Sequence, residues 1–493
     1  MRILLVYPEF PDTFWSFRYA LRFIRKKASL PPLGLLTVAA LLPKEWEKRL
    51  VDMNTTPLAD DDIAWADYVF VSAMVVQRES ARKVIKRCKE ASVKVVAGGP
   101  LFLSEHDDFP EVDHFVLNEA EITLPLFLSD LERGAPKRLY ATTEFANMEL
   151  SPMPLWELAD LRHYSSMCIQ YSRGCPFKCD FCNITAMLGR RFRTKTAKQI
   201  VAELDALYNL GWRGSVFFVD DNFIGNKRKL KTEILPAIIA WRQGKRGMSF
   251  QTEASVDLAD DPELMHMMTE AGFAAVFVGI ETPDEQGLAE CNKAQNKGRD
   301  LVACVKTMQR AGFEVQGGFI VGFDSDTPSI FQRQIEFIQR SGVVTAMVGL
   351  LQAIHGTQLY ERLKNEGRLL SESSGDNTDN TLNFKPKMDA GTLHEGYRQI
   401  MLGIYSPRAY YERVRTFLKE YHKSNVVRST IGWDYILAFF RSIVILGVRG
   451  KERLEYWRLF FWTLLHRPRL FPEAISFAIY GFHFRRICEE YVL

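Results

Sequence analysis

The chain has 493 residues, and a usual domain size of roughly 100–200 residues predicts two to four domains. Hydrophobic residues make up 47% and charged residues 25%, which excludes a disordered or fibrous chain, and the net charge of +3 excludes a strongly basic nucleic-acid-binding protein. The N-terminus has no signal-peptide pattern and no apolar run reaches about 18 residues, so we expect a cytoplasmic protein without a membrane span.

Strand-like and helix-like segments alternate over residues 1–135, which we take as the first domain. Buried strands are predicted at residues 1–7, 49–53, 68–72 and 93–97, and helices at residues 33–42 and 80–91. This alternation predicts a doubly wound parallel sheet that binds its ligands at the carboxyl ends of the strands. Those ends carry YPEFP at residues 7–11, SAMVV at 72–76, GGP at 98–100 and NEAE at 118–121.

A linker is predicted at residues 136–163, and alternation resumes over residues 164–370. Strands are predicted there at residues 168–171, 215–219, 249–253, 275–279, 314–321 and 344–350. Because helical segments separate them, we predict a partial or full (β/α) barrel with its chemistry at the strand C-termini. Residues 371–493 are predicted to begin with an exposed polar loop and to continue as helices.

The strongest chemical signal is a group of three cysteines. Cys175, Cys179 and Cys182 form a C-x3-C-x2-C motif in SRGCPFKCDFC, directly after a predicted strand. Three thiolates can hold three corners of a four-iron cluster and leave the fourth iron open. A structural zinc site needs a fourth ligand, and no further Cys or His lies close in the sequence. The other cysteines, Cys168 nearest the motif among them, are interpreted as buried hydrophobic residues.

The motif resembles that of the radical S-adenosylmethionine (AdoMet) superfamily, in which the open iron binds AdoMet and an electron from the cluster cleaves it to a 5′-deoxyadenosyl radical. Three further strand ends fit that family: FVDDNF at residues 218–223, GIETP at 279–283 and GGFIVGFDSD at 317–326. The resemblance implies that AdoMet or substrate lies near Asp220, Asp221 and Asn222, the AdoMet ribose near Glu281, and the adenine near the backbone of Gly318 and Gly322.

A doubly wound domain before such a barrel resembles the cobalamin-binding module of the class B radical AdoMet enzymes. The resemblance implies cobalamin contacts at Pro8, Ser72, Gly98, Gly99 and Glu119. This sequence lacks the Asp-x-His-x-x-Gly motif whose histidine ligates cobalt in many such domains, so no protein imidazole is expected on the metal. Asn118 stands where the family usually has glycine, and asparagine tolerates a left-handed backbone. The alternative is a nucleotide-binding or ligand-free scaffold.

The C-terminal region resembles a cobalamin-dependent subfamily that includes the hopanoid C-2 methyltransferases. Residues 431–493 contain 15 aromatic residues, and their nine Lys or Arg exceed six Asp or Glu. Helices that are apolar on one side and punctuated by Arg can lie in a membrane interface, so we expect peripheral contact with the inner membrane face. The alternative is an ordinary helical cap over the barrel mouth.

The resemblance implies a methyltransferase that uses a 4Fe–4S cluster, AdoMet and cobalamin to methylate an unactivated carbon of a lipid, for example a hopanoid at C-2. Its implied partners are a hydrophobic substrate and a one-electron donor such as flavodoxin or ferredoxin. One alternative is a radical AdoMet enzyme that forms a carbon–carbon bond or ring on a lipid. A second is a non-catalytic iron–sulfur or cobalamin sensor. No catalytic residue is assigned.

Overall fold

The N-terminal part of the chain forms a six-stranded parallel sheet. The computed structural model describes residues 1–376, 378–424, 426–427 and 432–491. The strands of this first sheet are β1 (Arg2–Tyr7), β2 (Glu47–Asp52), β3 (Tyr68–Ser72), β4 (Lys94–Gly98), β5 (His114–Val116) and β6 (Leu139–Tyr140). Their order is β2-β1-β3-β4-β5-β6. The strand order reverses at β1, so a ligand crevice is expected at the carboxyl ends of β1 and β3.

Helices cover both faces of the first sheet. They are α1 (Arg18–Leu21), α2 (Leu33–Leu41), α3 (Asp60–Trp65), α4 (Arg78–Glu90), α5 (Pro100–Glu105) and α6 (Ala120–Glu132). Alternate residues of β1 enter two separate cores, because successive side chains of a strand point to opposite faces. Leu4 packs with Ile63 of α3 in one core, and Ile3 packs with Leu35 of α2 in the other. The predicted doubly wound architecture is confirmed.

A second six-stranded parallel sheet follows. Its strands are β7 (Ser166–Ile169), β10 (Ser215–Phe218), β11 (Phe250–Glu253), β12 (Phe273–Glu281), β13 (Glu314–Val321) and β14 (Ala346–Leu350). Their order is β7-β10-β11-β12-β13-β14, so each strand lies beside the next one along the chain, as in a (β/α) barrel. The strands β8 (Ser172–Arg173) and β9 (Arg193–Thr194) form a small antiparallel pair that brackets the cysteine motif.

The helices of this part of the chain are α7 (Ile184–Leu188), α8 (Ala197–Asn209), α9 (Lys227–Lys229), α10 (Leu235–Arg242), α11 (Pro262–Ala271), α12 (Glu285–Glu290), α13 (Leu301–Ala311), α14 (Ser329–Ser341) and α15 (Gln358–Asn365).

The two faces of the second sheet differ in burial. Val216, Val278 and Val348 are fully buried in the core cluster that includes residues of these helices. Alternate residues such as Phe217 and Met347 are half-buried and face the inside of the curve.

In its described residues, the C-terminal region forms five helices: α16 (Ala390–Tyr405), α17 (Pro407–Glu420), α18 (Trp433–Ser442), α19 (Arg453–His466) and α20 (Phe471–Tyr491). A π-helical segment, Ile443–Arg449, continues α18. Phe484 of α20 stacks on Phe14, with ring centroids 4.3 Å apart. In the same N-terminal segment, the Trp15 Nε1–H donates to Met347 Sδ of β14 at 3.0 Å. The C-terminal helices and the N-terminal segment therefore meet against the open side of the barrel. No helix in the described ranges is long and apolar enough to span a membrane.

Two segments differ from their predicted boundaries. Residues 136–163, predicted as a linker, contribute β6, which pairs with β5 at the edge of the first sheet. The strand predicted at residues 168–171 lies earlier, at β7. It ends at Ile169 because the backbone N–H groups of Tyr171 and Ser172 donate to the Asp220 carboxylate instead of a neighbouring strand.

Candidate active site between the two sheets

The cysteine motif lies on the loop between β8 and α7, at the carboxyl end of the barrel strands. Cys175, Cys179 and Cys182 are all half-buried. The Gln295 Nε2–H group donates to the Cys179 sulfur at 3.9 Å. No three His, Cys, Asp or Glu side chains of the described residues converge tightly enough for a single metal ion. A four-iron cluster takes each thiolate on a separate iron.

Buried polar contacts hold this cysteine loop in place. Asp220, at the end of β10, accepts hydrogen bonds from the N–H groups of Tyr171 and Ser172 and from the Ser172 hydroxyl. Burial raises the pKa of Asp220 to about 7, and these bonds oppose the shift. Gly174 has a φ of +91°, and a Cβ there would lie 2.6 Å from the Arg191 carbonyl oxygen. The start of the loop therefore tolerates little displacement.

The predicted group Asp220, Asp221 and Asn222 divides into two roles. The Asn222 Oδ1 accepts from the Ser255 N–H at 3.2 Å, so this side chain, like that of Asp220, is engaged by the protein. The Asp221 side chain is half-buried and lies within electrostatic reach of Cys175 and Glu253. Burial raises the pKa of Asp221 to about 6. Of the three, Asp221 presents its carboxylate to the site.

Two titratable residues that the sequence analysis did not single out, Glu253 and Lys293, also lie beside the cysteine loop. Glu253 ends β11, where burial and then the nearby Asp221 carboxylate raise its pKa to about 8. Lys293 forms a 2.6 Å ion pair with Glu281. Burial lowers the pKa of Lys293, but the Glu281 carboxylate and the Cys179 thiol outweigh it and raise the value. Three carboxyl groups and one lysine therefore lie beside the cysteine loop, and we call Asp221, Glu253, Glu281 and Lys293 the rim.

Glu281 owes its orientation to an irregular backbone. It has a φ of +64°, which is unusual for a residue other than glycine, and the pairing of β12 with β13 shifts register between Gly279 and Glu281. A Cβ on Gly279 would collide with the Glu281 carboxylate and lie 2.8 Å from the Lys293 ammonium. Glycine is needed here because the ion pair crosses directly over the strand.

The predicted adenine-binding glycines lie on the next strand. A Cβ on Gly318 would lie 2.8 Å from the Phe277 ring, inside the barrel. Gly322 has a φ of +108°, and a Cβ there would lie 3.2 Å from Leu393. At both positions the space that a side chain would take is filled by the protein's own Phe277 and Leu393, so packing alone requires glycine there, and adenine binding stays a prediction.

The predicted cobalamin residues lie together at the carboxyl edge of the first sheet. The Pro8 carbonyl after β1 accepts from Asn54 Nδ2 at 3.2 Å. Gly99 has a φ of +92°, and a Cβ there would lie 2.7 Å from Ser72 Oγ, while a Cβ on Gly98 would lie 2.7 Å from the Val116 carbonyl. The ends of β3, β4 and β5 therefore pack closely, with no side chain at residues 98 and 99. We call this edge the backbone cradle, because a bulky planar cofactor is expected at the carboxyl ends of such strands.

The Glu119 side chain is bonded by two arginines, and its predicted contact with cobalamin stays a prediction. Its buried carboxylate accepts from Arg193 at 2.6 and 2.8 Å and from Arg173 at 3.2 Å. Arg173 also donates to Glu121 at 2.8 and 3.0 Å. Both Glu119 oxygens have protein partners, so a cobalamin contact would fall to its backbone. We call Glu119, Glu121, Arg173 and Arg193 the inter-sheet network, because it joins the end of β5 to the β8–β9 pair.

Comparison with known proteins identifies the family of this chain. Residues 24–128 match the B12 binding domain, residues 169–338 the radical SAM superfamily, and residues 357–492 a domain of unknown function (DUF4070). The hopanoid C-2 methylase of Rhodopseudomonas palustris is 36% identical over 93% of this chain and 88% of its own. An uncharacterized methyltransferase of Synechocystis is 41% identical over 98% of this chain and 91% of its own. This chain belongs to the cobalamin-dependent radical AdoMet methyltransferases.

Solved structures share the fold of this methyltransferase. The cobalamin-dependent radical enzyme OxsB, with aqua-cobalamin and AdoMet bound, superposes with a TM-score of 0.64 at 15% identity, covering 99% of this chain and 80% of OxsB. TsrM from Kitasatospora setae, with cobalamin and a [4Fe-4S] cluster bound, has a TM-score of 0.59 at 14% identity, covering 96% of this chain and 98% of TsrM.

The methyltransferase uses a 4Fe–4S cluster, AdoMet and cobalamin, and its residues fit these groups. The three cysteines can hold the cluster, and the backbone cradle can hold the corrin. AdoMet carries two positive groups and one carboxylate. The rim of three carboxylates and Lys293 matches that charge pattern, because carboxylates accept from an ammonium group and lysine pairs with a carboxylate. Glu253 could have been found by its position at a strand end, whereas Lys293 has no sequence signal.

Proposed function

We propose that this methyltransferase methylates an unactivated carbon of a lipid, with a hopanoid at C-2 as the first candidate. The observation that carries the proposal is the long similarity to a hopanoid C-2 methylase, over 93% of this chain. The inner face of the barrel supports it. There, the Phe277 and Trp15 rings lie 5.6 Å apart, and Met347 accepts the Trp15 hydrogen bond. A hydrocarbon can lie against these side chains without leaving polar groups unpaired.

In this proposal the rim and the interior bind different parts of the reactants. Asp221 and Glu253 bind the ammonium group of AdoMet, Lys293 its carboxylate, and Glu281 its ribose. The backbone at Gly318 and Gly322 contacts the adenine, and the apolar side chains inside the barrel position the lipid carbon. The bound cofactors supply the radical and the methyl group, so the chain itself needs to orient the reactants and exclude water.

Two partners belong to the same proposal. A one-electron donor such as flavodoxin or ferredoxin reduces the cluster, whose cysteine ligands lie on a half-buried loop that such a protein can approach. Residues 431–493 make peripheral contact with a membrane. Ten of the twenty exposed large hydrophobic side chains of the described residues lie between Trp433 and Leu465, which supports that contact.

Lipid analysis of a hopanoid-producing host tests the proposal. The host, lacking its own C-2 methylase, is grown anaerobically with cobalamin and methyl-deuterated methionine, and expresses either the wild-type chain or the Cys179→Ala variant. We expect a hopanoid that gains a labelled methyl group with the wild type alone, and its mass-spectral fragments would place the carbon. An unlabelled lipid that loses hydrogens would favour ring formation instead. No change in any lipid would refute a hopanoid substrate.

A further inference from the structure

The outer side of α18, its π-helical continuation and α19 is an exposed apolar surface. We call it the hairpin surface and define it by its exposed residues: Trp433, Tyr435, Ile436, Phe440, Val444, Val448, Leu454, Phe461, Leu464 and Leu465. Trp433 is 79% and Leu465 79% exposed, so these side chains contact little of the chain itself. Monomeric soluble proteins rarely expose large side chains so densely, which marks an interaction site.

The hairpin surface is continuous and the hairpin itself is well packed. Phe440, Val444 and Val448 recur every fourth residue and therefore share one side of the helix. Phe439 lies beside Phe440 on α18 and contacts Phe460 on α19, with ring centroids 6.3 Å apart. Phe460 in turn contacts Phe461 at 5.4 Å, so an aromatic row joins the exposed sides of the two helices.

Charge around the hairpin surface is strongly unequal. The exposed cations of residues 433–469 are Arg449, Lys451, Arg453, Arg458 and Arg469, whereas Asp434 is the one exposed carboxylate there. Glu452 is buried and bonded to Arg485. Two of the cations are paired, Arg458 with Glu455 and Lys451 with Glu489, and Arg449, Arg453 and Arg469 carry the rest of the positive charge. A second copy of this chain docked on the same surface would bring like charges together. An apolar surface bordered by cations is instead complementary to acyl chains beneath anionic headgroups.

The hairpin is bonded to the N-terminal segment, which reaches the barrel interior. Arg441 of α18 donates to the carbonyl oxygens of Arg22 and Phe23, at 3.1 and 2.9 Å. The same N-terminal segment carries Trp15, which contacts Phe277 and Met347 inside the barrel. The N-terminal segment therefore contacts both the hairpin and the barrel interior.

We propose that the hairpin surface docks this methyltransferase on an anionic bilayer, with α18 and α19 lying in the plane of the headgroups. Docking presents a membrane-resident lipid to the open side of the barrel. The purpose of this docking rests on the lipid methyltransferase activity proposed above, but bilayer binding can be measured without any substrate turnover.

Vesicle co-sedimentation of the reconstituted holoenzyme tests the docking. We expect binding to vesicles of phosphatidylglycerol with phosphatidylcholine, and weaker binding to phosphatidylcholine alone. The double variant Leu454→Ser, Leu465→Ser should weaken binding by about tenfold for each leucine, because the side chains lose their burial in the bilayer. The matched control is Leu126→Ser, Leu150→Ser, which changes two leucines that are 54% and 75% exposed elsewhere and should bind as wild type.

A charge variant tests whether the cations around the hairpin surface contribute to vesicle binding. Arg449→Gln with Arg453→Gln should remove most of the preference for anionic vesicles, about fivefold for each arginine, whereas Arg408→Gln on α17 should not. Failure of the wild type to bind anionic vesicles, or equal binding by the leucine variant, would overturn the proposal. So would a dimer that the leucine variant converts to monomer while vesicle binding is unchanged.

A third measurement separates this proposal from the proposed function. The leucine variant should retain methylation of a detergent-dispersed hopanoid while losing methylation of the same lipid in vesicles. If the wild type binds vesicles but methylates no hopanoid in either form, the substrate proposal fails and the docking stands. If methylation in detergent and in vesicles falls together, the hairpin does not deliver substrate and the docking proposal is wrong.

Discussion

The inter-sheet network offers a quantitative test of how the two sheets are held together. The substitution Glu119→Gln keeps the size of the side chain and removes its charge. In the wild type two arginines face two glutamates, and the side chains of Glu119 and Arg173 are only 3% and 13% exposed. The variant leaves one buried guanidinium charge without compensation, at the junction between β5 and the cysteine loop.

The expected cost follows from that burial. Removing one partner of a buried ion pair costs about 3–5 kcal/mol. Glutamine retains one carbonyl oxygen, which can still accept from Arg193, so we expect about 2–4 kcal/mol of local stability to be lost. Because 1.36 kcal/mol corresponds to tenfold, backbone amides protected by the network should exchange roughly 30- to 1000-fold faster.

Native-state hydrogen exchange measured by mass spectrometry reports the local loss of stability peptide by peptide. It does not assume that a multidomain chain unfolds in two states. The informative peptides cover residues 117–123 and 171–195. The control is Glu395→Gln, since Glu395 makes a similar two-bond pair with Arg398 on the exposed side of α16, where solvent screens the charges and the exchange of nearby amides should hardly change. Equal effects of the two substitutions on their own surroundings would refute the assignment of Glu119 as an inter-sheet tie.

Three further predictions concern the site and the barrel. Asp220→Ala should lower the iron content of purified enzyme because the cysteine loop loses its anchor, whereas Asp221→Ala should retain iron and weaken AdoMet binding in calorimetry; the reverse result would contradict the division of roles. Gly279→Ala should weaken AdoMet binding by at least tenfold, since a methyl group displaces the Glu281–Lys293 pair, and unchanged affinity would contradict it. Burial raises the pKa of Glu314 to about 7, above its unfolded value, so stability falls as pH rises from about 4.5 to 7. Glu314→Gln should therefore be more stable than wild type at pH 8, by up to about 3 kcal/mol, and should unfold at a higher temperature there; the gain should vanish near pH 4, and a pH-independent gain would show another cause.

Most of the architecture could be predicted because buried strands leave a strong apolar pattern. The strands predicted at residues 68–72 and 314–321 coincide with β3 and β13. β6 was missed because it has two residues at a sheet edge, too short to show any periodicity. The end of β7 was misplaced because a side chain from a distant strand, Asp220, captures the next N–H groups, and no local pattern reports such a contact.

The site was less predictable wherever it depends on how the two sheets dock. Cys175, Cys179 and Cys182 are local in sequence, so their spacing alone indicated a cluster. Glu119 and Arg193 are 74 residues apart, and neither residue carries a sign of its partner. The motif around Glu119 was therefore interpreted by its position at a strand end, whereas its carboxylate joins the sheets.

The irregular backbone at the end of β12 links these local and long-range features. A left-handed Glu281 costs on the order of 1–3 kcal/mol and persists only where surrounding contacts hold it. Its carboxylate turns back over Gly279 to reach Lys293, whose charge also interacts with the Cys179 and Cys182 thiols. A regular strand would carry Glu281 away from that lysine. The irregular backbone thus brings the Glu281 carboxylate and the cysteine loop to a single cation, which is the arrangement that the proposed binding of AdoMet beside the cluster requires.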